Sequence, residues 1–217
     1  MKVLLFGGSG GLGSKLLPLL QEKYSVTSMS SKDLDLTNAL QVKEFFIQNS
    51  EWDVVINLSG YNYDTFIHKI SCDEQTQNEI DKMLDVNIKG NINILSYALG
   101  PMRERNFGRV ILTSSVLSEK IQVGTAIYSA TKSFIDTLTK VANAENIGKG
   151  VTVNSIRLGY FDGGLAHKIP EKHAKIILDS IPLHRWGKIE ELYKIIDFVI
   201  ETEYCAGQNL NVSGGLI

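Results

Sequence analysis

The 217-residue sequence predicts an α/β chain built on one doubly wound, mostly parallel sheet of about seven strands with helices on both faces. Three observations carry that prediction. Short β-type runs alternate with longer segments whose apolar residues recur at helical spacing, as in strand-helix-strand units. Runs such as Val54-Val-Ile56 and Val110-Ile-Leu112 are apolar at consecutive positions, which suits strands covered on both faces. The first run leads directly into the glycine-rich stretch Gly7-Gly8-Ser9-Gly10-Gly11-Leu12-Gly13, after which a helix begins at Ser14. With 43% hydrophobic residues and no repeat, low-complexity tract or linker, residues 1–217 are expected to form a single domain.

The elements follow in order. Residues 2–6 form the first strand and residues 25–29 the second. Asp33-Leu-Asp35-Leu36-Thr37 reads as a short third strand, although a helix N-cap region ahead of residues 38–49 explains it equally well. The joint between strands two and three is too short to hold a helix. A fourth strand spans residues 52–58, a long helix 77–105, a fifth strand 109–113 and another helix 126–144. Residues 151–157 form strand six, and the last strand lies within 207–215. Between them Ile189, Leu192, Ile196, Val199 and Ile200 mark an amphipathic helix.

Composition excludes several classes of function. A net charge of −2 gives no global attraction to nucleic acid or to an anionic membrane. Cys72 and Cys205 are far apart and in no metal-ligand spacing, so a reduced, cytoplasmic setting fits better than a disulfide framework. The apolar start reaches glycine too soon for a signal-peptide core, and no stretch approaches the roughly 18 apolar residues of a membrane span. His68, His167, His173 and His184 show no tight ligand spacing, so no metal site is expected.

Three groups of residues carry chemistry. A glycine-rich turn between a strand and a helix lets backbone come close to a pyrophosphate at the helix N-terminus, which makes Gly7, Ser9, Gly10, Gly11, Leu12 and Gly13 candidate cofactor contacts. At the tip of the second strand stand Ser30, Ser31 and Lys32. Hydroxyls and a lysine there, with no carboxylate, favour NADP(H) over NAD(H), whose ribose hydroxyls a carboxylate would accept; NAD(H) remains possible because Asp33 is one residue further. Tyr128 and Lys132 are four residues apart, which stacks phenol and ammonium on one helix face. An ammonium beside a phenol favours the phenolate and draws its pKa from about 10 toward the working pH.

With Ser115 thirteen positions before Tyr128 and the glycine turn at the start, the chain resembles the short-chain dehydrogenase/reductase family along nearly its whole length. The resemblance implies a Rossmann-type fold that binds NADP(H) and transfers hydride reversibly between nicotinamide and a carbonyl or secondary alcohol. It assigns Ser115, Tyr128, Lys132 and Asn87 as the catalytic set. Tyr128 exchanges the proton, Lys132 lowers its pKa and holds the nicotinamide ribose, and Ser115 positions the substrate oxygen. Asn87, within Asp85-Val-Asn-Ile-Lys-Gly90, holds a water of the proton relay.

Gly7, Gly11 and Gly13 match the family's glycine positions, and Asp35-Leu36 matches a pair that meets adenine. Asn57-Leu58-Ser59-Gly60 is similar to the family's Asn-Asn-Ala-Gly and adds Asn57, Ser59 and Gly60 as candidates; Gly159 follows from a Pro-Gly pair that here reads Leu158-Gly159. Three departures stand out. Phe6 replaces a Thr that braces the turn, Leu158 replaces the Pro, and Gly163 falls where the family often has a Thr touching the nicotinamide carboxamide.

Residues 160–184 correspond to the segment that covers the substrate, and the helices over 77–105 and 126–144 to faces on which relatives pair as homodimers or homotetramers. Other functions remain open on the same fold: a sugar-nucleotide-modifying enzyme or an NADP-sensing regulator without chemistry. A hydrolase is disfavoured, because no Gly-x-Ser-x-Gly elbow surrounds Ser115.

Overall fold

The computed structural model describes residues 1–163 and 171–216, with the backbone alone for 171–173. Its strands are β1 (Lys2–Phe6), β2 (Ser25–Met29), β3 (Val54–Asn57), β4 (Gly108–Ser115), β5 (Val151–Leu158) and β6 (Asn209–Val212). Every neighbouring pair is parallel, in the order β2-β1-β3-β4-β5-β6. The helices are α1 (Gly13–Gln21), α2 (Ala39–Gln48), α3 (Glu74–Leu84), α4 (Gly90–Arg105), α5 (Ala126–Asn146), α6 (Glu171–Ser180) and α7 (Ile189–Glu201).

Among the described residues the sheet has six strands, not about seven. The expected third strand is absent because short polar side chains capture the backbone locally. The Asp35 carboxylate accepts hydrogen bonds from the Thr37 N–H at 2.9 Å and its hydroxyl at 2.8 Å. Asn38 then caps α2 by accepting from the N–H groups of Leu40 and Gln41. Such bonds compete directly with a strand ladder. The N-cap alternative is the one that forms, and β2 becomes the edge of the sheet.

Alternation along β1 feeds both faces of the sheet. Leu4 and Phe6 join Val55, Val110, Leu112 and Val153 under α2, α4 and α5. Val3 and Leu5 join Ile56, Ile111 and Ile156 under α1 and α7. Each such buried side chain contributes roughly 1.5–3 kcal/mol relative to exposure. Phe6, in the place of the expected Thr, packs against Phe45 and Phe46 with ring centroids 6.5 and 6.4 Å away. Backbone bonds brace the turn instead: Gly7 N–H to Met29 O and Gly10 N–H to Gly7 O, each 3.0 Å.

The long helix expected over 77–105 starts earlier and is interrupted. Asp73 caps α3 by accepting from the Thr76 N–H at 2.7 Å. Between α3 and α4, residues Asp85–Lys89 form a wide π turn in which Gly90 N–H bonds Asp85 O. Asn91 explains the widening, since its side chain donates to Asn87 O at 2.7 Å and enters the helical ladder.

Of the expected substrate-covering segment, Tyr160 and Phe161 run on from β5, and Phe161 bridges to Gly187. His167 lies outside the described residues, as does the side chain of His173. No described helix is long and apolar enough to cross a membrane. Among the described residues no group of three or more His, Cys, Asp or Glu comes together as metal ligands would.

Candidate active site

The strand order reverses direction between β1 and β3, and open α/β sheets bind ligands outside the carboxyl ends of strands at such a point. A cleft of about 320 Å³ opens there. Phe6, Gly7, Ser9 and Gly10 form one wall, Leu58, Ser59, Gly60 and Tyr61 face them, and Ser30, Ser31, Leu34, Asp35, Leu36 and Thr37 close the end. Gly7 has φ +79°, and a Cβ on it would lie 2.8 Å from the Ser59 nitrogen, so only glycine lets the turn approach β3. Gly13 is equally constrained: a Cβ would lie 2.2 Å from Gly7 O.

Gly11 is exposed, Leu12 packs partly on the apolar layer under α1, and Asn57 is buried, so these residues build the turn and the sheet end rather than border the opening. Gly159 packs on the backbone of Ser213 and faces β6. At the tip of β2, the Asp33 carboxylate turns back to accept from the Ser30 N–H at 2.8 Å and its hydroxyl at 2.6 Å. Those bonds, the hydroxyl's first, hold its pKa below the usual carboxylate value. Lys32 is exposed and does not border the cleft.

Of the four candidate catalytic side chains, Lys132 and Asn87 meet beside Gly60, and Tyr128 and Ser115 adjoin Lys132. Ser115 ends β4, opposite Leu158, and its hydroxyl accepts from Leu117 N–H at 3.2 Å. The same hydroxyl acts on the phenol of Tyr128, in the first turn of α5, and favours its charged form. One turn on, Lys132 is 2% exposed, with its ammonium 5.5 Å from the Tyr128 ring centroid and donating to Thr113 O at 2.9 Å. Asn87, wholly buried on the π turn, clamps Tyr61: its Oδ1 accepts from Tyr61 N–H at 2.9 Å and its Nδ2 donates to Tyr61 O at 2.8 Å. Nδ2 also donates to the Thr131 hydroxyl at 3.1 Å. A Cβ on Gly60 would sit 3.6 Å from the Lys132 ammonium and 3.7 Å from Asn87 Oδ1, so this glycine joins the cleft to the catalytic corner.

The electrostatics differ from the simple pairing of phenol and ammonium. Burial pushes the Tyr128 phenol up to about 12, while the Ser115 hydroxyl opposes that shift. Burial pushes the Lys132 ammonium down to about 8, against the pull of the Asp136 carboxylate. Desolvation therefore outweighs any lowering of the phenol by Lys132. The ammonium spends its near contact on the Thr113 carbonyl, which explains why the expected depression of Tyr128 does not appear.

Two contributors escaped the sequence, Lys82 and Asn91. Lys82 borders the cleft, its ammonium 4.1 Å from the ring centroid of Tyr61, whose phenol bonds Glu79. Lys82 stands five positions before Asn87 on an amphipathic helix, where a lysine looks like an ordinary solvated residue. Asn91 accepts from Asn57 Nδ2 at 2.8 Å while holding Asn87 O. Its signal was only its spacing from Asn87.

Comparison with known proteins agrees with this fold. The family model described as "Enoyl-(Acyl carrier protein) reductase" matches residues 14–217. The chain is 27% identical to a 3-oxoacyl-[acyl-carrier-protein] reductase of Rickettsia typhi over 99% of its length and 95% of the relative. It is 32% identical to an acetoacetyl-CoA reductase of Allochromatium vinosum over 82% of this chain and 72% of that one. Its fold is similar to that of a gluconate 5-dehydrogenase from Burkholderia cenocepacia, solved with NADP and tartrate, with TM-score 0.85, 22% identity and coverage of 99% and 94%. A short-chain dehydrogenase from Leptospira borgpetersenii, solved with NAD+, superposes with TM-score 0.86 at 24% identity and coverage of 100% and 92%.

Proposed function

The chain belongs to the short-chain dehydrogenase/reductase family, and from that premise we propose that it is an NADP(H)-dependent oxidoreductase acting on a small carbonyl compound or its secondary alcohol. One observation carries the chemistry: the Ser115 hydroxyl acts on the Tyr128 phenol near a buried ammonium, and that ammonium lies beside Gly60 of the cleft that opens on the glycine turn. The residues fit a dinucleotide. Glycines 7, 10 and 60 line the cleft without side chains, and Ser9, Ser30, Ser31 and Ser59 offer hydroxyls along it.

Bound there, the nicotinamide would supply or take up the hydride. Ser115 donates to the substrate oxygen and stabilises the charge that develops on it. Tyr128 delivers or removes the proton at that oxygen, and its high pKa keeps it protonated for the reductive direction. Lys132, whose ammonium lies beside Gly60, recharges Tyr128 and would hold the nicotinamide ribose. Asn87 fixes the Tyr61 backbone that walls this corner, and the Oδ1 capacity left beside Gly60 suits a relay water.

NADP(H) is favoured because Ser30 and Ser31 face the cleft while the Asp33 carboxylate is engaged by Ser30. A homodimer or homotetramer through α4 and α5 in the cytoplasm completes the reading, supported by Ile92 and Val141, exposed by 40% and 50%. NADPH absorbance followed with a panel of ketones tests the reaction. Turnover of none of them, or near wild-type turnover by Tyr128→Phe with intact cofactor binding, rejects it.

A further inference from the structure

Gly163 has φ +98°, a conformation that L side chains rarely adopt, and the room beside it is filled from another element. A Cβ there would lie 2.7 Å from Cδ, Cε and Nζ of Lys15 alike. Lys15 stands on α1 two residues beyond Gly13, so its stem crosses from the glycine turn to the chain leaving β5. Its ammonium is 3.7 Å from the Asp162 carboxylate, longer than a hydrogen bond, and its side chain remains 44% exposed. The donors are therefore not consumed by this pair and stay available at the junction of turn and β5.

Gly163 and Lys15 form a complementary pair: a side chain at 163 would displace the lysine, and glycine there lets the lysine lie across. We propose that Lys15 is a cofactor-binding residue whose ammonium holds the diphosphate of the dinucleotide, in room that residue 163 leaves open. The diphosphate is the matching group because it is anionic and the glycine turn that ends beside Lys15 is shaped for it. The inference rests on the proposal that a nicotinamide dinucleotide lies across this turn.

Calorimetric titration of the purified protein with NADPH, NADH and ADP-ribose tests it. ADP-ribose carries the diphosphate but no nicotinamide. Lys15→Met is expected to raise all three dissociation constants about tenfold or more. Lys15→Arg keeps the charge and stays within roughly threefold of wild type. Both variants, half-exposed at this position, melt like wild type without ligand.

Unchanged affinity in Lys15→Met overturns the inference and leaves the reductase reading intact. Weakening limited to NADPH and NADH, with ADP-ribose unaffected, overturns it too, since the lysine would then serve the nicotinamide end. A lower melting temperature together with failure of Lys15→Arg to restore affinity makes the lysine structural and rejects its binding role. Wild-type protein that binds none of the three rejects both this inference and the cofactor reading beneath it.

Discussion

Along the carboxyl edge of the sheet, the end built on β4 and β5 and the end built on β2 secure their polar groups in opposite ways. β4 and β5 pair over eight residues, and the groups around Ser115 are buried and bonded to distant partners: Lys132 to Thr113, Asn87 to Tyr61, Asn57 to Asn91. Past β2, an edge strand, the groups bond to near neighbours: Asp33 to Ser30 and Asp35 to Thr37, all at the surface. Long-range bonds tie the first end to distant parts of the fold. Local bonds leave the second end free to change with single residues.

The largest effects should come from the first end. Tyr128→Phe removes the proposed proton-transfer group and leaves packing nearly unchanged, so turnover should fall by about 10²–10⁴ while NADPH binding stays within a few fold. Steady-state kinetics beside fluorescence titration measures both. Comparable losses in rate and affinity would show that Tyr128 supports the pocket rather than the chemistry.

Lys132 should reveal its burial in the pH dependence of stability. Its folded pKa, about 8, lies below the unfolded value of 10.5. The unfolded state therefore binds more protons between those values, and stability rises with pH across that window. Below pH 8 the buried ammonium costs up to about 3 kcal/mol. Tyr128 acts in the opposite sense only above pH 10, where its raised pKa makes stability fall. Urea unfolding between pH 7.5 and 9.5 should show an upward slope in wild type that Lys132→Met lacks. Parallel curves would mean the ammonium is better solvated than its surroundings imply.

These two ends also differ in how far the sequence exposed them. Tyr128, Lys132 and Ser115 were legible because four-residue helical spacing and a strand end fix their relative positions, whatever the loops do. The absent third strand was not legible: Asp33-Leu-Asp35-Leu36 alternates like a strand, and only side-chain bonds to Ser30 and Thr37 decide against it. Asn87 was named, but not the means by which it is held, because a π turn created by Asn91 has no hydrophobic period to betray it. The inferred depression of Tyr128 failed for a related reason, since burial is a property of packing rather than of spacing.

Asn91→Leu probes the same long-range bonds more gently. It strands the amide of Asn57 and frees Asn87 O, two buried groups, at a cost of about 1–3 kcal/mol. Denaturant midpoints measure that loss, and KM should move less than kcat if the π turn positions Asn87. An unchanged midpoint would show that water replaces the lost bonds and that this end is softer than its burial suggests.

The smallest effect belongs to the pliable end. Lys32 is exposed on the loop after β2, so its charge is screened by solvent and its influence on a ribose phosphate should be modest. Lys32→Met is expected to weaken NADPH about three- to fivefold, to leave NADH unchanged, and to lose even that difference at high salt. Binding titrations at two ionic strengths decide the matter. A preference that survives the substitution points to Lys82, the cation that borders the cleft over Tyr61, and Lys82→Met should then reduce it. If neither lysine matters, discrimination lies with Ser30 and Ser31, whose hydroxyls cannot repel a phosphate as a carboxylate would, and the choice of cofactor is made by omission rather than by attraction.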